Sequence, residues 1–66
     1  MKIEKNEIKL YQKMGDEFER CIPDTEKFVE GNNSAGTRVR KSMQVIKHLA
    51  QEIRVEVQKQ KNSVLV

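Results

Sequence analysis

A chain of 66 residues with 35% charged side chains and a formal net charge of +3 makes one domain at most and buries too little apolar surface to be comfortably stable alone. One cysteine and one histidine exclude an internal disulfide and a zinc site, so self-association is the expected source of additional core. The absence of Trp and an aromatic content of 5% suit helices with long solvated faces rather than a sheet.

The N-terminus, Met1-Lys2-Ile3-Glu4-Lys5, is charged and no apolar run follows it. No secretory leader or membrane span is expected, and the expected location is the cytoplasm. The first arm is expected over about residues 3–30. Tyr11, Met14, Phe18, Cys21, Thr25 and Phe28 step by three and four, and Ile8, Gly15, Ile22 and Val29 form a second row beside them. An apolar stripe this wide exceeds what a two-helix seam needs and implies contact with further helices. Pro23 lacks an N–H and crowds the carbonyl of Glu19, so a kink, or a break with an immediate restart, is expected there. Pro23-Asp24-Thr25-Glu26 would also serve as a helix start.

The turn is expected over about residues 31–34. Gly31 suits the left-handed conformation that ends a helix, and Asn33 or Ser34 suits the cap of the next. The second arm is expected over about residues 35–61, uninterrupted by Pro or Gly beyond Thr37. Val39, Met43, Ile46, Ala50, Ile53 and Val57 form its seam, with Ser42 and Leu49 alongside. Ser63 to Val66 is expected to fray or to tuck against a partner.

These readings give an all-α fold in one domain: an antiparallel helical hairpin, kinked near Pro23, with two chains pairing into a four-helix bundle. The expected oligomer interface is Ile8, Phe18, Ile22, Val29, Met43, Leu49 and Ile53. Opening of the two arms into one long rod is the competing architecture, since the short turn alone argues for reversal.

Charge is divided unevenly. Residues 1–33 hold six Lys/Arg against eight Asp/Glu, while residues 34–66 hold seven against two. Arg40, Lys47, Arg54 and Lys61 recur every seven residues, which makes one straight basic row about 31 Å long on a helix. Arg38 and Lys41, with Thr37, cluster at the helix start, where the backbone dipole adds to the positive potential. Such an arrangement is either a surface for polyanions or a solvated face.

The run Gly31-Asn32-Asn33-Ser34-Ala35-Gly36-Thr37-Arg38-Val39-Arg40-Lys41-Ser42, continued by Ile46-Lys47 and Glu52-Ile53-Arg54, resembles the bacterial histone H1-like proteins of chlamydial type, with short relatives in the Bacteroidetes. The resemblance implies a nucleoid-associated protein that binds and compacts DNA, with roles for Arg38, Arg40, Lys41, Lys47 and Arg54. Lys61 joins them as the last member of the basic row. Binding of double-stranded DNA is expected to be non-specific and salt-sensitive, since no base-reading element or aromatic platform is evident.

Other residues have plainer expected roles. Cys21 is expected to be a small hydrophobe in the seam, His48 a solvated side chain, and Tyr11, Phe18 and Phe28 core residues. Asn32-Asn33-Ser34 matches a glycosylation acceptor by chance. Nothing combines a nucleophile with a base, pairs carboxylates or builds a phosphate loop, so no enzyme activity, cofactor, metal, small-molecule substrate or membrane contact is expected. The competing function is a helical interaction or scaffold module whose wide apolar stripes bind another protein.

Overall fold

The computed structural model describes residues 5–64, with side chains described for residues 7–62. Two helices, α1 (Lys5–Val29) and α2 (Asn33–Val64), lie antiparallel. The result is a slender two-helix layer whose Cα atoms span 54 × 14 × 12 Å. The expected arm start near residue 3 and the last two residues of the expected tail, Leu65 and Val66, fall outside the described residues. Ser63 and Val64 continue α2.

The reversal is built by backbone chemistry at the turn. Gly31 has φ of 105°, a left-handed conformation that costs a side-chain-bearing residue about 1–2 kcal/mol. That conformation lets Asn32 N–H donate to the carbonyl of Lys27 at 3.0 Å, and Gly31 N–H to that of Phe28 at 2.9 Å, the paired bonds of a Schellman helix end. Asn32 then serves as the cap of α2: its Oδ1 accepts from Ala35 N–H at 3.1 Å. The cap is therefore Asn32, where Asn33 or Ser34 was expected. The helix end places Asn32 beside the first free N–H groups of α2, and Asn33 and Ser34 are absorbed into its first turn.

α1 passes through Pro23 as one helix. Pro23 and Glu19 are both exposed residues, so the intrahelical bond that the proline removes lies on the solvent side of α1. Immediately beyond it the Thr25 hydroxyl donates to the Cys21 carbonyl at 2.9 Å. The local cost of the proline is limited by its position on the outer face.

The contact between the helices keeps Met14 and Cys21 of the expected α1 row but takes Leu10, Glu17 and Asp24 in place of Tyr11, Phe18 and Thr25. Its α1 seam runs Glu7, Leu10, Met14, Glu17, Cys21 and Asp24, all buried or half-buried, while Tyr11, Phe18 and Thr25 are exposed. On α2 the seam runs Ala35, Val39, Ser42, Ile46, Leu49, Ile53, Glu56 and Gln60. Leu10, Leu49 and Ile53 form the apolar centre, with Met14 packed on them. This core is small, and polar members of the seam are closed by specific partners. Gln60 Nε2 donates to Glu7 Oε2 at 2.9 Å across the helices, and Arg20 pairs with Glu17 at 3.2 Å along α1. Among the described residues no buried side-chain nitrogen or oxygen lacks a hydrogen-bond partner, so these polar seam positions avoid the penalty of unpaired burial.

Candidate nucleic-acid interface

The basic row is set by the uninterrupted geometry of α2. Its members follow the seam residues Val39, Ile46, Ile53 and Gln60 by one position, which rotates them about 100° from that seam. Arg40, Lys47, Arg54 and Lys61 are all exposed. Among the described residues no ion pair engages them, the pairs being Arg20–Glu17, Arg38–Asp24 and Lys59–Glu56. α2 has no acidic residue in its first turn, so no side chain of that turn offsets the positive end of the helix dipole.

Arg38 and Lys41 differ from each other. Arg38 Nε donates to Asp24 Oδ1 at 2.9 Å, and the Asp24 side chain is largely covered. Arg38 thus ties the start of α2 to the last turns of α1 on the side of the hairpin away from the basic row. Lys41 is exposed and, with Thr37, Arg40 and Gln44, lines a shallow depression on the outer surface of α2. Two neighbouring depressions continue along the row, one lined by Phe28, Gly36, Val39 and Arg40 and one by Val39, Met43, Gln44 and Lys47. Arg40, Lys41 and Lys47, at the turn end of the row, therefore border a shallow furrow with a partly apolar floor.

The rows that follow the seams by one residue share one side of the hairpin. In antiparallel helices a rotation of the same sense carries both away from their contact toward the same face. That face holds Ile8, Tyr11, Phe18, Ile22 and Val29 from α1, with Gly36, Met43, Ala50 and Val57 from α2, and its α2 edge is the basic row. Its apolar members are well exposed: Tyr11 is 54%, Ile22 53% and Val29 79% accessible. Of the residues expected at an oligomer interface, Ile8, Phe18, Ile22, Val29 and Met43 stand on this open face, whereas Leu49 and Ile53 are buried within the hairpin itself.

Three features were not visible in the sequence reading. The Asp24–Arg38 and Glu7–Gln60 links join residues 14 and 53 positions apart, and neither pair has a local spacing signal. Gly36 lies directly beneath the ring of Phe28, and a Cβ built on it would stand 2.6 Å from Phe28 Cδ1. The short interval between these two residues across the turn is the one clue to that contact.

Among the described residues no group of His, Cys, Asp and Glu could hold a metal ion, and no helix is long and apolar enough to cross a membrane. A family model described as Histone H1-like protein Hc1 matches residues 8–63, which takes in nearly all of both helices and the whole basic row. No curated protein and no solved structure matches the chain.

Proposed function

We propose, from the premise that the chain belongs to the Histone H1-like protein Hc1 family, that it is a DNA-binding, nucleoid-associated protein whose contact surface is the edge of α2. The observation that carries this reading is the row Arg40, Lys47, Arg54 and Lys61: exposed, evenly spaced, and engaged by no carboxylate among the described residues. Lys41 extends the surface at the turn end. Arg38 contributes to the local potential, with its guanidinium shared by Asp24. Guanidinium and ammonium groups at this spacing neutralise phosphates along one side of a duplex and release its counterions, which gives affinity without sequence information.

Binding is sequence-independent in this reading. The row meets phosphates, and the aromatic residues beside the furrow belong to the apolar face. The role is architectural, contributing to DNA compaction in the bacterial nucleoid, with no catalytic step and no small-molecule ligand. Bending of α1 near Pro23 and pairing of two chains into a four-helix bundle belong to the same reading. The bundle is supported by the small core of the hairpin and by its wide open apolar face.

The test is a titration against two unrelated duplexes of equal length at low salt. The wild type is expected to bind both alike, and a variant with Arg40, Lys47, Arg54 and Lys61 changed to Gln to bind both far more weakly while keeping its helicity. Equal binding by the two proteins would refute the assignment of the surface. No binding by the wild type would refute the function.

A further inference from the structure

The open face is asymmetric in charge as well as being apolar. Beyond its α1 rows lies an edge formed by Gln12, Glu19 and Glu26, all exposed, and beyond its α2 row lies the basic edge. One edge is thus acidic over its turn-proximal half while the other is basic along its length. We infer that this face takes a second copy of the chain, docked so that α1 covers α2 of the partner subunit and the acidic edge of each copy lies along the basic edge of the other. The inference deepens the oligomeric part of the function above and rests on that part alone.

The choice follows from symmetry. Two hairpins closing face to face about a two-fold axis have two arrangements. An axis across the hairpins stacks α1 on α1 and α2 on α2, which brings the two basic rows together at one edge. An axis along the hairpins lays α1 over the partner's α2 in an antiparallel sense and preserves height. Within the hairpin Asp24 is level with Arg38 and Phe28 with Gly36. By the same register Glu26 lies level with the residue before Arg38, and Glu19 level with Gln44. Each carboxylate therefore comes within about one helical turn of a cation of the partner subunit, Glu26 of Arg40 and Glu19 of Lys47.

The apolar rows agree with this register. At the same heights Ile22 meets the aliphatic stem of the partner's Arg40, Gly15 leaves room for that of the partner's Lys47, and Ile8 meets that of the partner's Arg54. Long cationic side chains cover apolar surface in this way while their heads reach water. Burial of Tyr11, Phe18, Ile22 and Met43 supplies the association energy, and exposed ion pairs add little to it. Their effect is to select one arrangement against the other.

One consequence concerns DNA. Arg40 and Lys47 then have two competing anions, the partner's carboxylates and phosphate, whereas Arg54 faces Gln12 and stays free. Assembly and nucleic-acid binding draw on the same half of the row.

The experiment is a charge exchange read by sedimentation equilibrium of the full chain, without nucleic acid, with helicity checked by circular dichroism. The proteins are the wild type, Glu19→Lys with Glu26→Lys, Arg40→Glu with Lys47→Glu, and the combination of all four. The wild type is expected to dimerise. Each double variant is expected to have a dissociation constant raised by about ten- to a hundredfold, as four weak attractions per dimer become repulsions. The combined variant is expected to return to within about threefold of the wild type, as charge complementarity is restored. All four positions are exposed, so each protein should fold.

A combined variant no tighter than the doubles, or a wild type that stays a folded monomer, overturns the inference. Titration of the same four proteins with duplex DNA separates the two readings. Restoration of the dimer by charge exchange with no DNA binding by any protein would leave this inference standing and remove the nucleic-acid function.

Discussion

The contact between Phe28 and Gly36 closes the hairpin beside the turn, and it permits a calculation. Replacing Gly36 by Ala would place a Cβ 2.6 Å and 2.7 Å from two ring carbons of Phe28, where carbon atoms prefer about 3.5–4.0 Å. The ring must withdraw by about 1 Å. Phe28 is 50% exposed, so it has a way out, and the loss is part of its burial, about 1 kcal/mol. Against this, Ala exceeds Gly in helix propensity by about 1 kcal/mol. The two effects nearly cancel, and Gly36→Ala alone should change stability by under about 0.5 kcal/mol. In a Phe28→Ala background the ring is gone and the propensity gain stands alone, so the same substitution should stabilise by about 1 kcal/mol. Urea unfolding of the four proteins of this cycle, followed by circular dichroism at one protein concentration, measures the coupling. An equal effect of Gly36→Ala in both backgrounds would refute the packing argument and, with it, the close approach that holds the two helices side by side at the turn.

Three further outcomes follow from the same geometry. Gly31→Ala should destabilise by about 1–2 kcal/mol because φ is positive there, and Gly31→Asn by less, both measured as a shift in urea midpoint at unchanged slope. Asn32→Ala should cost about 1 kcal/mol through loss of the cap on Ala35, with Asn32→Asp retaining it. Leu49→Ala removes one of the few buried apolar side chains, and a cost in the range of about 2–5 kcal/mol would leave much of so small a protein unfolded at 25 °C. Its far-ultraviolet helicity should fall well below that of the wild type.

The helices, their reversal at Gly31 and the basic row were legible in the sequence because each depends on local rules. A positive-φ glycine, an uninterrupted heptad run and cations seven residues apart need no knowledge of distant partners. The phase of the α1 seam was not legible. Tyr11 and Phe18 outweigh Glu7, Glu17 and Asp24 in any count of apolar residues, yet the hairpin buries the row that contains the acids. Gln60 and Arg38 meet two of those carboxylates across the hairpin, contacts that appear only once the chain has folded back, and Arg20 meets the third along α1. Tyr11 and Phe18, expected in the seam, stand exposed on the open face of the hairpin instead; the sequence pattern alone did not say which of the two adjacent rows would meet α2. For the candidate site, regular spacing identified Arg40, Lys47, Arg54 and Lys61, while the involvement of Arg38 with Asp24 carried no such signal.

The central claim, that α2 meets DNA through its basic edge, is tested most directly by the salt dependence of binding. Four phosphate contacts contribute a slope of about −3.6 to the plot of log affinity against log salt, a loss of roughly 150-fold across a fourfold rise in salt. The variant with Arg40, Lys47, Arg54 and Lys61 changed to Gln should bind more weakly at every salt concentration, with a slope shallower by about that amount per bound chain. A weakened variant that kept the slope of the wild type would contradict the account, because the phosphates would then be meeting some other part of the molecule.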